Sequence, residues 1–269
     1  MKMDKIPDRN KTLWYLSKTE NLKDFFMVLK FIFKRYLYEI RIIKRPNDEL
    51  VVNLNGLKIH FVPLWNELAS YNGIFVRKLY EPNTMFAPEK CPIIFDCGAN
   101  IGLYTLRAAT YGTSKIFSFE PNPVVFKRLV KNIQANNFQN IIPFNMGLSS
   151  TIGRSKLSWH KKTSCGHITT NKRVTGPNVV EVELMTLDEV VQRYNINSID
   201  LIKLDVEGSE YEALLGAKKT LSITKRLVLE FHGDELRENC EALLISSGFR
   251  KVHEIPEHQF YINSSFSDK

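Results

Sequence analysis

The apolar positions fall into three zones along the chain. Between Asn21 and Arg45 they crowd at Phe25–Leu29 and Phe31–Phe33, then recur at Leu37, Ile40 and Ile43, with Lys30, Lys34, Arg41 and Lys44 among them. This spacing predicts a basic amphipathic helix, ended by Pro46. Two short apolar runs then flank Asn55-Gly56, a dipeptide suited to a two-residue hairpin turn, so Leu50–Val62 is expected to form a β-hairpin. From Cys91 onward the period switches back and forth. Ile93–Asp96, Ile116–Glu120, Ile141–Asn145, Leu201–Asp205, Leu227–Phe231, Phe249–His253 and Phe260–Asn263 read as strands. Leu103–Ala109, Pro123–Asn136, Glu210–Thr220 and Asp234–Ser247 read as helices between most of them. Such alternation implies an α/β fold, a largely parallel sheet with helices on both faces. The last two strands lie close together, which implies an antiparallel finish at one edge.

The expected organisation is a basic helical segment over 1–48, a hairpin and core entry over 49–90, and an α/β domain over 91–269. One stretch interrupts the alternation. Residues 149–180 are rich in Ser, Thr, Gly and Lys, and VVEVEL follows as an extra strand. Insertions after a strand's C-terminal end commonly shape a ligand crevice; a plain surface loop is the other reading.

With 269 residues, 43% hydrophobic and 25% charged, the composition excludes a disordered or collagen-like chain. The four cysteines, Cys91, Cys97, Cys165 and Cys240, form no C-x-x-C pair, so neither a zinc knuckle nor a disulfide framework is indicated. The first residues alternate charge with apolar side chains, unlike a signal peptide, and a soluble, cytoplasmic protein is expected. The net charge of +8 is unevenly placed: residues 1–50 hold twelve Lys/Arg against seven Asp/Glu, and 151–175 hold six Lys/Arg and no acid. These are either solvated basic surfaces or contacts for an anionic partner. Residues 21–45 in particular could lie on an anionic membrane face, pack on the core, or join a second subunit.

The chemistry concentrates after Ile93. A buried strand runs into Asp96-Cys97-Gly98-Ala99-Asn100-Ile101-Gly102 and then a helix, and glycines in such a turn let the backbone approach a ligand. Glu120 ends the next strand, where an acid can take the two hydroxyls of a ribose. A dinucleotide-binding turn has glycine where this chain has Asp96. A carboxylate there repels a pyrophosphate but suits a cationic ammonium and sulfonium, which favours S-adenosylmethionine.

DCGANIGLYTLRAA, FEPNP, the N-x-x-x-N of Asn132 and Asn136, and IKLDVEGSEYEALLGA together resemble the FkbM-type S-adenosylmethionine-dependent methyltransferases, over about residues 70–255. The resemblance implies a seven-stranded Rossmann-like sheet and methyl transfer, most often to an oxygen of a sugar, glycan or natural product. It places the methionine part of the cofactor over Asp96, Gly98, Ala99, Asn100 and Gly102, with Tyr104 and Thr105 able to line the same pocket. It gives the ribose to Glu120, puts Pro121 and Asn122 beside the adenine, and sets Asn145, Met146 and Gly147 at the adenine edge.

Asp205 closes the fourth strand, at the switch point of such a sheet, and should face the transferable methyl. If the strand continues, Lys203, Asp205 and Glu207 share a side, and Glu230 and His232 do the same on the next strand. An alcohol acceptor needs a base, and His232, Asp205 and Glu207 are the candidates, histidine having the most suitable unperturbed pKa. A divalent cation on Asp205, Glu207 and Glu230 is a weaker alternative, and no metal ligand is assigned. Against these roles, Ser209 and Glu212 have capping-box spacing, so Glu207 and Gly208 could simply shape a turn, and His232 could be an ordinary strand-end histidine.

Two other functions compete. An RNA methyltransferase would use the basic insert, but D-V-E-G stands where an N-P-P-Y-type tetrapeptide is wanted, and its acids repel a phosphate backbone. Trp159 alone is a poor stacking platform, so nucleic acid is not the expected partner. The second is a non-catalytic binding protein on the same fold. The expected partner is a glycan or small-molecule acceptor.

Overall fold

The computed structural model describes residues 22–39, 49–62, 65–89, 91–112, 115–159, 166–169 and 175–266. The N-terminal helix α1 runs Leu22–Glu39; the expected continuation to Arg45 and its stop at Pro46 lie outside the described residues. Val28 is buried on α1, while Phe26, Phe33 and Tyr36 stay exposed. Strands β1 (Leu50–Leu54) and β2 (Leu57–Phe61) pair antiparallel from Leu50 opposite Phe61 to Leu54 opposite Leu57. Asn55 and Gly56 take φ of 53° and 75°, the two left-handed positions of a type I′ turn. Helix α2 (Trp65–Tyr71) passes into a π-helical turn at Asn72–Val76.

The remaining elements are β3 (Ile93–Cys97), α3 (Leu103–Thr110), β4 (Lys115–Phe119), α4 (Pro123–Ala135), β5 (Ile141–Phe144), β6 (Gly147–Leu148), β7 (Gly153–Trp159), β8 (Gly166–Thr169), β9 (Val179–Met185) and α5 (Leu187–Arg193). Then come β10 (Ile199–Leu204), α6 (Glu210–Leu215), α7 (Lys218–Ser222), β11 (Thr224–Glu230), α8 (Asp234–Ser246), β12 (Phe249–Ile255) and β13 (His258–Asn263). Seven strands make the main sheet in the order β12-β13-β11-β10-β3-β4-β5. The pairs from β11 to β5 are parallel, and β13 joins β11 and β12 antiparallel, the predicted edge. The order reverses between β3 and β10, which places the switch point where Gly98 and Asp205 emerge.

Successive strand residues point to opposite faces, and two cores result. Ile94, Ile116, Leu201 and Val228 join Leu106, Leu129 and the hairpin on one face. Phe95, Phe117, Ile202 and Leu229 join Val190, Leu214 and Leu244 on the other. The hairpin is tied to α4 by side chains: Asn132 Oδ1 accepts from His60 N at 2.7 Å and its Nδ2 donates to Ile101 O. Asn136 likewise accepts from Lys58 N and donates to Lys58 O, each at 2.8 Å. The N-x-x-x-N spacing therefore satisfies the open backbone edge of β2.

Two expectations are corrected here. The helix foreseen over Glu210–Thr220 is broken into α6 and α7 around Gly216, where a Cβ would lie 2.1 Å from the Ser149 carbonyl oxygen; close chain crossing ends the first helix. The insert over 149–180 is neither a plain loop nor irregular throughout. Residues β7, β8 and β9 form a second sheet with β6, in the order β6-β9-β7-β8, and VVEVEL is its strand β9. Residues 160–165 and 170–174, which carry Lys161, Lys162, Lys172 and Arg173 of the basic insert, lie outside the described residues. No helix among the described residues is long and apolar enough to cross a membrane.

Candidate active site

The turn after β3 is shaped by three left-handed residues, Gly98, Asn100 and Gly102, with φ of 79°, 51° and 89°. Gly98 N and Ala99 N donate to Phe119 O at 3.0 and 2.8 Å, and Asp205 N donates to Cys97 O at 3.1 Å. The turn is thus stitched to the ends of both neighbouring strands. A Cβ on Gly98 would sit 1.7 Å from Asp205 O, so no other residue fits this crossing.

A cavity of about 470 Å³ opens at this end of the sheet. Of the residues singled out from sequence, Gly98, Ala99, Asn100, Tyr104, Glu120, Pro121, Met146, Asp205 and Glu207 line it. Lys203, Glu230, Arg77, and Gly166 and Ile168 of β8 line it too. Asp96, Gly102, Thr105, Asn122, Asn145 and Gly147 stand behind this wall, and His232 lies beside Asp205 and Glu207. Asp96 is fully buried and its Oδ2 accepts from Thr105 Oγ1 at 2.5 Å, while Thr105 Oγ1 lies 2.9 Å from Ser118 Oγ. Gly102 packs against Leu129, and Gly147 against Ile168 and Leu184. Asn122 caps α4 by accepting from Val124 N, and Asn145 Nδ2 donates to Glu120 O and Pro121 O. These residues hold the wall in shape.

Glu120 sits at the tip of β4. Its Oε2 accepts from Asn100 N at 3.0 Å and its Oε1 from Asn122 N at 2.8 Å. Burial raises its pKa to about 7, against the lowering effect of those two N–H donors. Tyr104 also faces the cavity, and its buried hydroxyl has no hydrogen-bond partner among the described residues.

Lys203 is the buried cation of the site. Its Nζ donates to Gly98 O at 2.8 Å and lies 3.3 Å from Asp96 Oδ1 and 3.2 Å from Asp205 Oδ2. Burial alone would favour the neutral amine, but the charges of Asp205 and Asp96 outweigh it and raise the pKa. Asp205 is raised above the usual carboxylate range by desolvation, which Lys203 opposes. Two residues that sequence reasoning missed complete this side. The Tyr80 hydroxyl lies 2.5 Å from Glu230 Oε2 and 3.1 Å from Asp205 Oδ2, bridging them. His258 Nε2 is 3.2 Å from the same Glu230 oxygen. Burial would raise Glu230, but the bond and charge of His258 and the bond from Tyr80 hold it below the usual range. Tyr80 lies between the hairpin and β3, in a stretch with no periodic signal, and nothing in its neighbourhood marks it.

The strand does not continue through Glu207, and the turn reading of Glu207 and Gly208 holds. β10 ends at Leu204, and Glu207 takes a left-handed φ of 53° in a turn. The capping box is absent as well: the Ser209 side chain caps nothing, and Glu212 accepts from Ser150 Oγ instead. Glu210, fully buried, does the clamping. Its Oε1 accepts from Val206 N at 3.2 Å and Gly208 N at 3.0 Å, and lies 2.9 Å from His232 Nδ1. Burial opposes a charge on His232, but the bond to Glu210, then the charges of Glu210, Asp205 and Glu207, raise its pKa to about 9.

A mainly parallel sheet with this strand order and a cavity at its switch point defines the class I methyltransferase fold. The chain matches the profile of the methyltransferase FkbM domain over residues 96–262, and it belongs to that family. Methyltransferase sdnD of Sordaria araneosa is 32% identical over 190 residues, 59% of this chain and 73% of the relative. Hexuronic acid methyltransferase AglP of Haloferax volcanii is 29% identical over 144 residues, 54% of this chain and 57% of its own length. The 2-O-methyltransferase NoeI of Sinorhizobium fredii is 27% identical over 164 residues, 55% and 66% respectively. The chain is a methyltransferase; its matches to the second and third relatives span less than two thirds of their lengths.

Proposed function

We propose that the chain transfers a methyl group from S-adenosylmethionine to a hydroxyl of a sugar or small natural product. One observation carries the reading. Glu120, Asp205, Glu207 and Glu230 line a single cavity against two cations, Arg77 and Lys203, whose charge is already shared by Asp96 and Asp205. A cofactor with a cationic sulfur and an ammonium group fits that surplus of carboxylate; a pyrophosphate does not. The unpartnered hydroxyl of Tyr104 adds a donor for a bound polar group. When bound, the cofactor supplies a methyl on a cationic sulfur, which leaves as a neutral thioether.

Each Glu120 oxygen has accepted one N–H and keeps a lone pair, so the carboxylate can take two ribose hydroxyls. Asp205 and Glu207 face the space left for the acceptor and are placed to take the proton that its hydroxyl loses. His232, held at Nδ1 by Glu210, stands beside these carboxylates. The wall built by β8 and by the turn around Arg77 is the side that selects the acceptor. A hydroxyl acceptor agrees with the names of relatives that act on hexuronic acid or at a 2-O position.

Calorimetric titration with S-adenosylhomocysteine and, separately, NAD tests the cofactor. Binding of S-adenosylhomocysteine alone, weakened in Glu120→Ala, is expected, followed by label transfer from S-adenosylmethionine to a panel of uronic acids and glycosides. Binding of neither ligand would overturn the reading.

A further inference from the structure

Three potential ligand atoms meet at the mouth of the cavity without bonding one another. His232 Nε2 lies 3.5 Å from Glu207 Oε2 and 4.0 Å from Asp205 Oδ1, both longer than a hydrogen bond. One nitrogen and one oxygen from each carboxylate all lie within 4.8 Å of one another. Ligands about 2.0–2.2 Å from a metal ion sit roughly 3–4 Å apart, so the gap has the dimensions of an ion.

The imidazole is aimed from behind. Its Nδ1 is held 2.9 Å from Oε1 of the fully buried Glu210, the carboxylate–histidine arrangement that orients metal-ligating imidazoles. Glu210 also holds the N–H groups of Val206 and Gly208, so one buried side chain sets both the ring and the turn that carries Glu207. Glu207 and Asp205 keep 37% and 19% side-chain exposure and His232 30%, which leaves room for water or a substrate oxygen as further ligands. The expected set of Asp205, Glu207 and Glu230 is not what assembles: Glu230 is turned to Tyr80 and His258, and His232 stands in its place.

We infer that Asp205, Glu207 and His232 form a divalent-cation site with open positions toward the cavity, the ion displacing the proton from His232 Nε2 to solvent as it binds. One imidazole with two carboxylates suits Mn²⁺ or Zn²⁺ better than Mg²⁺. In use the inference rests on the methyltransferase reading: a hydroxyl bound at an open position becomes more acidic. The site itself rests on the ligand geometry.

Full-length protein freed of metal with chelator is titrated with Mn²⁺, and free ion is measured from its six-line paramagnetic resonance signal. One site per chain is expected. His232→Ala and Glu207→Gln should each weaken it at least tenfold, the scale seen when metal-site groups are altered, while His253→Ala on β12 leaves it unchanged. Glu207 is partly exposed, so Glu207→Gln keeps the test valid if His232→Ala unfolds; circular dichroism melting checks both. No stoichiometric binding, or equal affinity in wild type and Glu207→Gln, would overturn the site. S-adenosylhomocysteine titrated in chelator reports separately. If it fails to bind while Mn²⁺ binds, the S-adenosylmethionine reading falls and the cation site stands.

Discussion

Glu120 offers a direct test of how burial and binding are linked in this site. Its carboxyl has a pKa of about 7 in the ligand-free protein, raised chiefly by burial. Ribose hydroxyls donate to the ionised form, so the ligand selects the fraction that is charged. That fraction is about one tenth at pH 6 and nine tenths at pH 8, which predicts roughly tenfold tighter binding at pH 8, about 1.3 kcal/mol. Calorimetry with 5′-methylthioadenosine isolates the effect, because this probe carries the ribose but no amino-acid part to sense Asp205. Glu120→Gln should bind more weakly at pH 8 and show no slope. Equal wild-type affinity at pH 6 and pH 8 would refute the assignment of Glu120 to the ribose. The ligand-free protein should respond in the opposite sense. A folded-state pKa above the ordinary 4.5 means that the native state holds more protons than the unfolded chain between pH 4.5 and about 7. Stability therefore falls as pH rises through that window, by up to about 3 kcal/mol, and Glu120→Gln should remove the fall.

Gly98→Ala would drive a methyl to within 1.7 Å of the Asp205 carbonyl at a φ of 79°; loss of S-adenosylhomocysteine binding and a destabilisation beyond about 4 kcal/mol are expected in melting experiments. Gly56→Ala meets nothing within 4 Å at a φ of 75°, so it should cost only about 1–2 kcal/mol and leave ligand affinity untouched. Arg107 pairs bidentately with buried Glu81, Nε to Oε1 at 2.5 Å and Nη2 to Oε2 at 2.6 Å. Arg107→Ala should lower stability by about 3–5 kcal/mol in urea titration, because it leaves the buried carboxylate with no cation and only the Tyr111 hydroxyl at 3.3 Å. Tyr80→Phe removes the hydroxyl between Asp205 and Glu230; a loss of about 1–3 kcal/mol in thermal unfolding is expected, together with a fall in turnover. Unchanged melting and turnover would show that the bridge contributes nothing.

The layered α/β fold was legible because its signals are local. The hairpin turn at Asn55-Gly56, the alternation after Cys91 and the glycine turn all depend on short-range periodicity and on φ preferences. The seven main-sheet strands lie within three residues of their expected ends. The insert's second sheet was harder to read, since β7 pairs with β9 across an intervening segment and only VVEVEL alternates clearly. The break at Gly216 was invisible because its cause, the Ser149 carbonyl, is distant in sequence.

The site divides in the same way. Sequence by itself determined which groups end the central strands: Gly98, Glu120, Asp205 and Glu230 are there because strand, turn and helix patterns put them there. Their chemical states were decided by the tertiary structure. Asp96, foreseen beside the cofactor, is fully buried against Thr105, with Lys203 nearby. His232, whose ordinary pKa recommended it as a base, has that pKa raised because Glu210 meets its Nδ1. Tyr80 reaches Asp205 and Glu230 across 125 and 150 positions of chain. A pattern of apolar positions encodes which face a residue takes, but a proton's affinity depends on the dielectric and the charges within a few ångströms, and only the folded chain brings those together.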